Sequence, residues 1–382
     1  MRKLKFSKQT FIGFVLCLFL VLVGCVLAFA RSRIENKLIS QQMAKRWSDT
    51  GDVAQISCFF SRNAGITREQ LIGLEYKLDS ALEEASITVE SDNPGAKLWK
   101  DTYSAQGKVD VSTDRGTLYG MKALGVGGDF FAFHPQELLY GNYFTESDVN
   151  QDYVVIDEEI AWQLFGGIDV HGKTVEIAGR SFVISGVIHR PQGKMEQHAG
   201  LTDSVIYMSY EALENYGVTD PISHFEIVMP NPIKNFAMTM LKENLMANEY
   251  ETTYVENSSR FTYANSLKSL KDFPYRSMND KAILYPYWEN EARAYEDLLA
   301  ILALFVVIFF GVPALIVLIW LIYRWKHKKW TWRSVRDKLI SFKDRIIYAL
   351  RDKIRPKQNK KEERKPISIS FDDEEDDYEE IM

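Results

Sequence analysis

The strongest pattern along the chain is a pair of long apolar runs, one near each end. Phe11–Ala30 is 20 residues without a charged side chain, and Leu298–Tyr323 is 26 residues without one. At a rise of about 1.5 Å per residue, either run is long enough as a helix to cross a hydrocarbon layer about 30 Å thick. The pattern therefore predicts membrane spans at 11–30 and 298–323, with a large domain at 31–297 between them.

The two ends of this domain show the same order of predicted elements. Val53–Phe60 alternates as a half-buried strand does, the capping box Thr67–Gln70 opens a helix that runs to about residue 85, and 86–90 reads as a second strand. A strand, helix and strand return between 224 and 255. We expect the two units to pair into one porter-like α+β layer, as in a split ferredoxin-like fold.

In the second unit the strands are predicted at 224–229 and 250–255, and Asn231 is the expected cap of the helix, with Pro232 in its first turn. The porter-like layer is thus assigned to 52–96 and 211–265. The fold class that follows is α+β.

The segment between these units, 97–210, is rich in short strands and turns and predicts a mainly β insert. Tyr153–Ile156 predicts a strand, and Glu158–Phe165 predicts a short helix that ends at Gly166-Gly167. Thr174–Ile177 and Ser181–Ile188 predict a hairpin with its turn at Gly179-Arg180.

Helical stalks are expected to join the domain to both spans. Residues 31–48 are polar and contain no Pro or Gly, so they predict a helix that continues out of the first span. Pro286 opens a second stalk, 286–297, with no helix breaker before the second span. One helix from Pro286 to Tyr323 would be about 57 Å long.

Charge then predicts the orientation of the chain, because Lys and Arg are retained on the cytoplasmic side. Residues 1–10 carry four basic residues and no acidic one, and 324–365 carry 17 basic against 5 acidic residues. The domain at 31–297 carries 25 basic against 39 acidic residues. We therefore expect a cell membrane protein with both termini in the cytoplasm and 31–297 outside it.

The first apolar run admits a second interpretation. A basic start followed by apolar residues is also typical of a signal peptide, and Leu22–Cys25 resembles a lipoprotein cleavage box. Because apolar residues continue through Val26–Ala30, a retained membrane helix is favoured. Cys58 is the one cysteine of the outer domain, so no disulfide is expected within it.

The residues after the second span divide into two parts by charge. Residues 324–355 interleave tryptophans and aliphatic residues with Arg and Lys, which predicts a basic amphipathic juxtamembrane helix on anionic inner-leaflet lipids. The alternative is basic anchoring that contacts no partner. Residues 356–382 are expected to be a disordered acidic tail.

No catalytic, cofactor-binding or metal-binding constellation is found in the sequence. Gly167–Thr174 satisfies the phosphate-loop pattern GxxxxGK[ST], but the predicted helix before it and hairpin after it are the wrong elements to bind a phosphate. Asp157-Glu158-Glu159 fits a helix start. No HExxH or CxxC motif supports zinc. The six histidines are His134, His171, His189, His198, His224 and His327. We therefore predict no enzyme, no cofactor and no nucleic-acid partner.

A series of short motifs in the insert carries a resemblance to a known family. In order, they are Ala123–Val126, Phe130-Phe131, Leu138–Phe144, Val154–Ile156, Ala161–Gly166, Gly172–Val175 and Phe182–Val187. Together they resemble the periplasmic core domain of MacB-type (MacB/FtsX) ABC transporter permeases, and the layout of spans, stalks and domain is similar over 10–323. The resemblance implies a non-catalytic subunit that passes movement between a cytoplasmic ABC ATPase and the outside.

The chain departs from that family in its number of spans, since the family usually has three after the core domain and this chain has one. A homodimer, or pairing with a fuller permease subunit, would then be needed to form a path. One other function stays open on the residues alone, a membrane-anchored extracellular binding or sensor module. An extracytoplasmic enzyme is a third hypothesis, which the lack of a catalytic constellation disfavours.

Overall fold

The structure, a computed structural model, describes residues 8–48, 51–88, 96–146, 148, 151–276 and 282–327, with the single positions 336, 340, 341, 343, 344 and 347. The chain divides into two compact units, 1–314 and 315–382. The predicted juxtamembrane helix at 324–355 lies mostly outside the described residues, and the predicted tail at 356–382 lies wholly outside them.

The described part of the chain alternates helices and strands. Its helices are α1 Lys8–Glu35, α2 Met43–Trp47, α3 Arg68–Glu84, α4 Phe130–Phe133, α5 Glu158–Phe165, α6 Lys194–His198, α7 Tyr210–Tyr216, α8 Phe236–Asn244, α9 Asn257–Arg260, α10 Tyr263–Arg276 and α11 Tyr287–His327. Its strands are β1 Val53–Phe60, β2 Lys100–Thr113, β3 Gly116–Gly128, β4 Glu137–Gly141, β5 Tyr153–Asp157, β6 Thr174–Ile177, β7 Arg180–His189, β8 Val205–Ser209, β9 Val218–Thr219, β10 His224–Pro230 and β11 Thr252–Glu256.

All described strands belong to one sheet, which makes the domain a mixed fold of helices and strands. The order is β11-β1-β10-β2-β3-β8-β5-β7-β4, with β6 beside β2 and β7, and β9 beside β2. The long β2–β3 hairpin joins the two halves of the sheet. The start of β2, Lys100–Ser104, pairs with β10, and its far end, Val111-Ser112, pairs with β6.

The first half of the sheet is covered on one side by α3 and α8. The capping box at Thr67 is confirmed, because its side chain accepts from the Gln70 N–H and the Gln70 side chain accepts from the Thr67 N–H. The expected apolar face of α3 is confirmed as well, because all four of its leucines are buried. They are Leu71, Leu74, Leu78 and Leu82.

Strand β1 was expected to be half-buried, but the structure buries both of its faces. Ala54, Ile56, Cys58 and Phe60 lie in the core beneath α3 and α8. Gln55 and Ser57 on the other face are also buried. The second face is covered because α2 and α9 pack against β1.

Three local predictions need correction by a few residues. Residues 86–88 form no strand, and 89–90 lie outside the described residues. Helix α8 begins at Phe236, because Asn235 adopts a left-handed φ of 67°, although the Asn231 side chain still accepts from the Ala237 N–H at 3.2 Å. The β6–β7 turn is Ala178-Gly179, with φ of 49° and 79°, one residue earlier than predicted.

The first predicted stalk, a single helix at 31–48, is wrong. Helix α1 ends at Glu35, and the chain continues as a short 3-10 helix at Ile39–Gln42 and then as α2. Tertiary contacts explain the break. Leu38 is buried against Phe261, Ala292 and Leu299, and α2 starts where its Met43 N–H donates to Gln55 Oε1 at 2.6 Å.

The second predicted stalk is part of one continuous helix, α11, which has 41 residues. Its first turns do not stand free, because Trp288, Ala292 and Leu299 are buried against the domain and the end of α1. Two described helices are long and apolar enough to cross a membrane, Phe11–Glu35 and Tyr287–Lys326.

Candidate functional site beneath the long helix

The most unusual site in the described domain is a group of buried polar residues on the sheet face that lies toward α11. His224 and Glu226 are two residues apart on β10, so both point to that face, while Phe225 and Ile227 point to the apolar core on the other side. His134 follows the short helix α4. The two histidines are fully buried, and Glu226 is 1% exposed.

The two oxygens of the Glu226 carboxylate have different partners. Oε2 lies 3.2 Å from His224 Nε2 and 3.3 Å from His134 Nε2. Oε1 accepts from the side-chain amides of Gln55 and Asn257, the latter at 3.3 Å. The carboxylate is thus held by amide donors on one side and faces two imidazoles on the other.

Aromatic rings close this cluster off from solvent. The Trp288 ring, in the first turn of α11, lies 4.3 Å from the His134 ring and 5.4 Å from the His224 ring, centroid to centroid. Phe130 lies 4.9 Å from His134, and Phe59 lies 5.3 Å from His224. The cluster is therefore shielded from bulk solvent, between the sheet and α11.

Burial and hydrogen bonding act on these groups in opposite directions. Burial alone would raise the pKa of Glu226, but its two histidine neighbours outweigh that effect and hold this pKa well below the usual range. Burial also lowers the pKa of His134, although Glu226 opposes this. The amide donors Gln55 and Asn257 favour the ionised carboxylate independently of the histidines.

His134 is poorly satisfied in this arrangement. Although Nε2 lies 3.3 Å from the Glu226 carboxylate, that approach lacks hydrogen-bond geometry, and neither ring nitrogen has a hydrogen-bond partner among the described residues. The Trp288 indole nitrogen is in the same condition. Buried polar groups normally have partners, so two adjacent exceptions mark this site as unusual.

A buried ion-pair network leads from this cluster into the long helix. Arg260 donates to the Asn257 side-chain oxygen at 3.4 Å and to both carboxylate oxygens of Glu289, at 2.7 and 2.9 Å. It also pairs with Glu296 at 3.1 Å. The acidic neighbours raise the pKa of Arg260 in spite of its burial, so it stays charged.

The end of the first apolar helix is tied to the same region. Arg31 is 4% exposed and donates to the Phe261 carbonyl and, at 3.1 Å, to Ser266 Oγ. Its guanidinium carbon lies 4.3 Å from the centroid of the Tyr263 ring. Residues 257–266 thus bind α1 through Arg31 and α11 through Arg260.

The features singled out in the sequence lie elsewhere. Gly167–Thr174 runs from the end of α5 into strand β6, so no helix follows it. Asp157 caps α5, with Oδ1 accepting from the Ile160 N–H at 2.9 Å. Of the six histidines, the fold brings His134 and His224 together, whereas His189 pairs with Glu158 near the surface, 2.7 Å apart.

Sequence analysis did not identify this cluster, although the sequence contains one signal of it. A His-x-Glu pair on one face of an otherwise apolar strand indicates a buried polar site, and β10 has this pattern. His134 lies 90 residues away and carries no comparable signal. Arg260 and the helix α10 that follows it were likewise not singled out.

Comparison with known proteins shows the family. The model of the MacB-like periplasmic core domain matches residues 12–243. The chain belongs to the family of proteins with this domain, which indicates a permease-type membrane subunit of an ABC transporter with a segment outside the cytoplasm. The match includes His134, His224 and Glu226 and ends before Asn257, Arg260 and Trp288.

Two solved structures are similar to this chain. One is the periplasmic region of MacB from Actinobacillus actinomycetemcomitans, at 15% identity, covering 59% of this chain and 94% of that one, with a TM-score of 0.37. The other is the extracellular domain of the noncanonic ABC-type transporter YknZ from Gram-positive bacteria, at 18% identity, covering 53% and 99%, with a TM-score of 0.35. No curated protein matches the chain.

Proposed function

We propose that the chain is a non-catalytic, two-span subunit of an ABC transporter that couples a cytoplasmic ATPase to movement or export outside the membrane. Both termini are cytoplasmic, 31–297 is extracytoplasmic, and 11–30 and 298–323 are the spans. Within 31–297, porter-like parts at 52–96 and 211–265 flank a mainly β insert at 97–210. Membership of the MacB-like family and the two apolar helices support this arrangement.

The observation that carries the proposal is the attachment of both apolar helices to one segment of the domain. Arg31 binds Phe261 and Ser266, and Arg260 binds Glu289 and Glu296. Removing one partner of a buried ion pair such as Arg260–Glu289 costs about 3–5 kcal/mol, and Arg31 adds charge-assisted hydrogen bonds at the end of α1. The helix ends are therefore held firmly to the sheet, and a tilt of either helix would move the domain with it.

A further partner follows from the number of spans. The two apolar helices pack on each other, since a Cβ atom placed at Gly24 would lie 3.1 Å from the Phe310 ring. Two packed helices enclose no path across a membrane. The ATPase is therefore expected to meet this subunit together with a fuller permease subunit or a second copy, and 324–355 is expected to lie on anionic lipids of the inner leaflet.

Purification of the tagged full chain in mild detergent tests the proposal. An ABC ATPase should copurify in a fixed ratio. Removal of residues 324–382 tests whether this segment contributes to the contact, and we expect less ATPase to copurify with the shortened chain. Absence of any ATPase and permease under these conditions would contradict the coupling function. Tight binding of a small ligand by a chain without such partners would favour the sensor module instead.

The orientation has a separate test. In a variant without the natural cysteines, a single cysteine at Tyr119, which is 77% exposed, should react with a membrane-impermeant maleimide in spheroplasts. A cysteine at Ser368 in the tail should react only after lysis. The reverse pattern would overturn the proposed topology.

A further inference from the structure

We propose that His134, His224 and Glu226 bind one zinc ion inside the domain. A ring nitrogen from each histidine and a carboxylate oxygen of Glu226 all lie within 4.8 Å of one another. Two imidazoles and a carboxylate are a ligand set that zinc accepts in proteins. The three side chains come from two separate parts of the chain, β10 and the loop after α4, and so would be joined by the ion.

The spacing of the donor atoms fits a tetrahedral ion. Ligand atoms about 2.0–2.1 Å from a tetrahedral zinc ion are about 3.3 Å apart. The distances from Glu226 Oε2 to the two histidine Nε2 atoms are 3.2 and 3.3 Å. The two histidine nitrogens also lie within 4.8 Å of each other, so a bound ion would draw them closer together.

The surrounding groups hold the ligands as outer partners of metal sites do. Gln55 and Asn257 occupy Oε1 of Glu226, which leaves Oε2 directed at the histidines. Ser104 Oγ lies 3.4 Å from Nδ1 of His224 and fixes that ring so that Nε2 faces the carboxylate. Such contacts orient the first ligands and raise metal affinity.

A bound ion would give the Nε2 atom of His134 a partner. A zinc ion takes up the lone pair of His134 Nε2, which in the present geometry makes no hydrogen bond. With three protein ligands, zinc keeps a fourth position for water or hydroxide. The Trp288 ring lies 4.3 Å from the His134 ring, and its buried indole N–H has no hydrogen-bond partner among the described residues. Hydroxide together with Glu226 would also balance the two positive charges of the ion.

The position of the site gives the ion a structural role. The ligands lie under Trp288 in the first turn of α11, so the ion would brace the sheet against the helix that leads to the second apolar run. Metal binding of this kind contributes directly to folding free energy. Because the ligands are sealed from solvent, we expect the ion to enter during folding and to leave slowly.

Metal analysis of the full chain, purified in detergent with a tag that contains no histidine, tests the proposal. We expect about one zinc ion per chain in the unaltered protein. The zinc content of His134→Gln and of Glu226→Gln should be lower by about tenfold or more. His189→Gln is the matched control, because it removes a histidine that pairs with a carboxylate near the surface. Equal zinc content in all four proteins, or no zinc in any, would overturn the proposal.

A second measurement avoids variants that fail to fold. The unaltered chain is produced in zinc-depleted medium with added Co²⁺ and purified without chelator. Bound Co²⁺ should give the strong visible absorption of a tetrahedral site, and the Co²⁺ or zinc form should melt at a higher temperature than protein produced without either metal. If the spectrum shows no bound ion and the melting temperature is the same, the cluster is a hydrogen-bonded network only.

Discussion

Arg260 and Glu289 form a bidentate ion pair, with Nη1–Oε2 and Nη2–Oε1 distances of 2.7 and 2.9 Å, between the segment after β11 and the first turn of α11. Arg260 is 7% exposed and Glu289 is 1% exposed. Two parallel, charge-assisted hydrogen bonds fix direction as well as distance. This pair therefore helps to fix the direction of the first turn of α11 relative to the sheet.

Removing one partner should be strongly destabilising. Glu289→Gln leaves the buried Arg260 guanidinium without its main counterion, and we expect a loss of about 3–5 kcal/mol, measured as a lower melting temperature of the purified chain. The double change Arg260→Met with Glu289→Leu should recover much of that loss.

The control for this prediction is an exposed pair. Arg62 and Asp220 lie 2.8 Å apart with exposed side chains, so Arg62→Ala should change stability by less than about 1 kcal/mol. If Glu289→Gln were no more harmful than Arg62→Ala, the buried pair would not be the tie between helix and domain.

Local signals in the sequence predicted some elements almost to the residue. Strand β1, helix α5 and the β6–β7 hairpin follow directly from alternation, from the cap at Asp157 and from glycine at the turns. Each of these elements depends on residues that are close together in the sequence, so the local sequence is enough to predict it. The MacB-like resemblance likewise rested on short motifs in a fixed order.

Elements that depend on distant contacts were not predictable in this way. Strand β2 contains charged residues and a glycine without regular alternation, yet it is held along its length by partners from four other strands. The break after Glu35 depends on Leu38 packing against α11 and on Gln55 capping α2. The buried cluster also exists only in the folded chain, because His134 meets His224 across 90 residues.

Gln55 should contribute as much to the stability of the fold as an apolar core residue does, although its side chain is polar. Its Oε1 accepts from the Met43 and Ala44 N–H groups, and its Nε2 donates to the Ser40 carbonyl and to Glu226. Gln55→Leu would leave several buried groups without partners, so we expect a loss of about 2–4 kcal/mol.

Thermal unfolding of the purified variant measures this effect. Gln163→Leu is the control, because Gln163 makes one side-chain contact of 3.4 Å at the surface, to Glu159. A Gln55 variant as stable as the Gln163 variant would mean that the polar contacts beneath α2 contribute little to the fold.

Asp101 should make stability depend on pH. Burial, reinforced by the nearby carboxylate of Glu75, raises the pKa of Asp101 to about 8, whereas an unfolded chain has an Asp pKa near 4. Below about pH 4 Asp101 is protonated in both the folded and the unfolded chain, so it does not change the free energy of unfolding. As the pH rises towards 8, only the unfolded state ionises freely, so this group progressively destabilises the fold; above 8 the penalty stays constant.

The variant Asp101→Asn removes that penalty. We expect its free energy of unfolding to exceed that of the unaltered chain by about 4–6 kcal/mol at pH 8.5, since each unit of pKa shift corresponds to about 1.4 kcal/mol, and by less than about 1 kcal/mol at pH 4.5. Asp114→Asn, at the exposed β2–β3 turn, should follow the unaltered chain at both values. A constant difference between Asp101→Asn and the unaltered chain would show that its carboxyl does not titrate in this range.

The packing of the two apolar helices gives the last prediction. A Cβ at Gly24 would lie 3.1 Å from the Phe310 ring, whereas a Cβ at Gly13 on the same helix would meet nothing within 4 Å. Gly24→Leu should therefore force the helices apart and lower stability by about 1–3 kcal/mol, and Gly13→Leu should not. Adding Phe310→Ala to Gly24→Leu makes room for the new side chain and should restore part of the loss. Thermal unfolding in detergent measures all three variants, and equal effects at Gly24 and Gly13 would contradict a direct contact between the two helices.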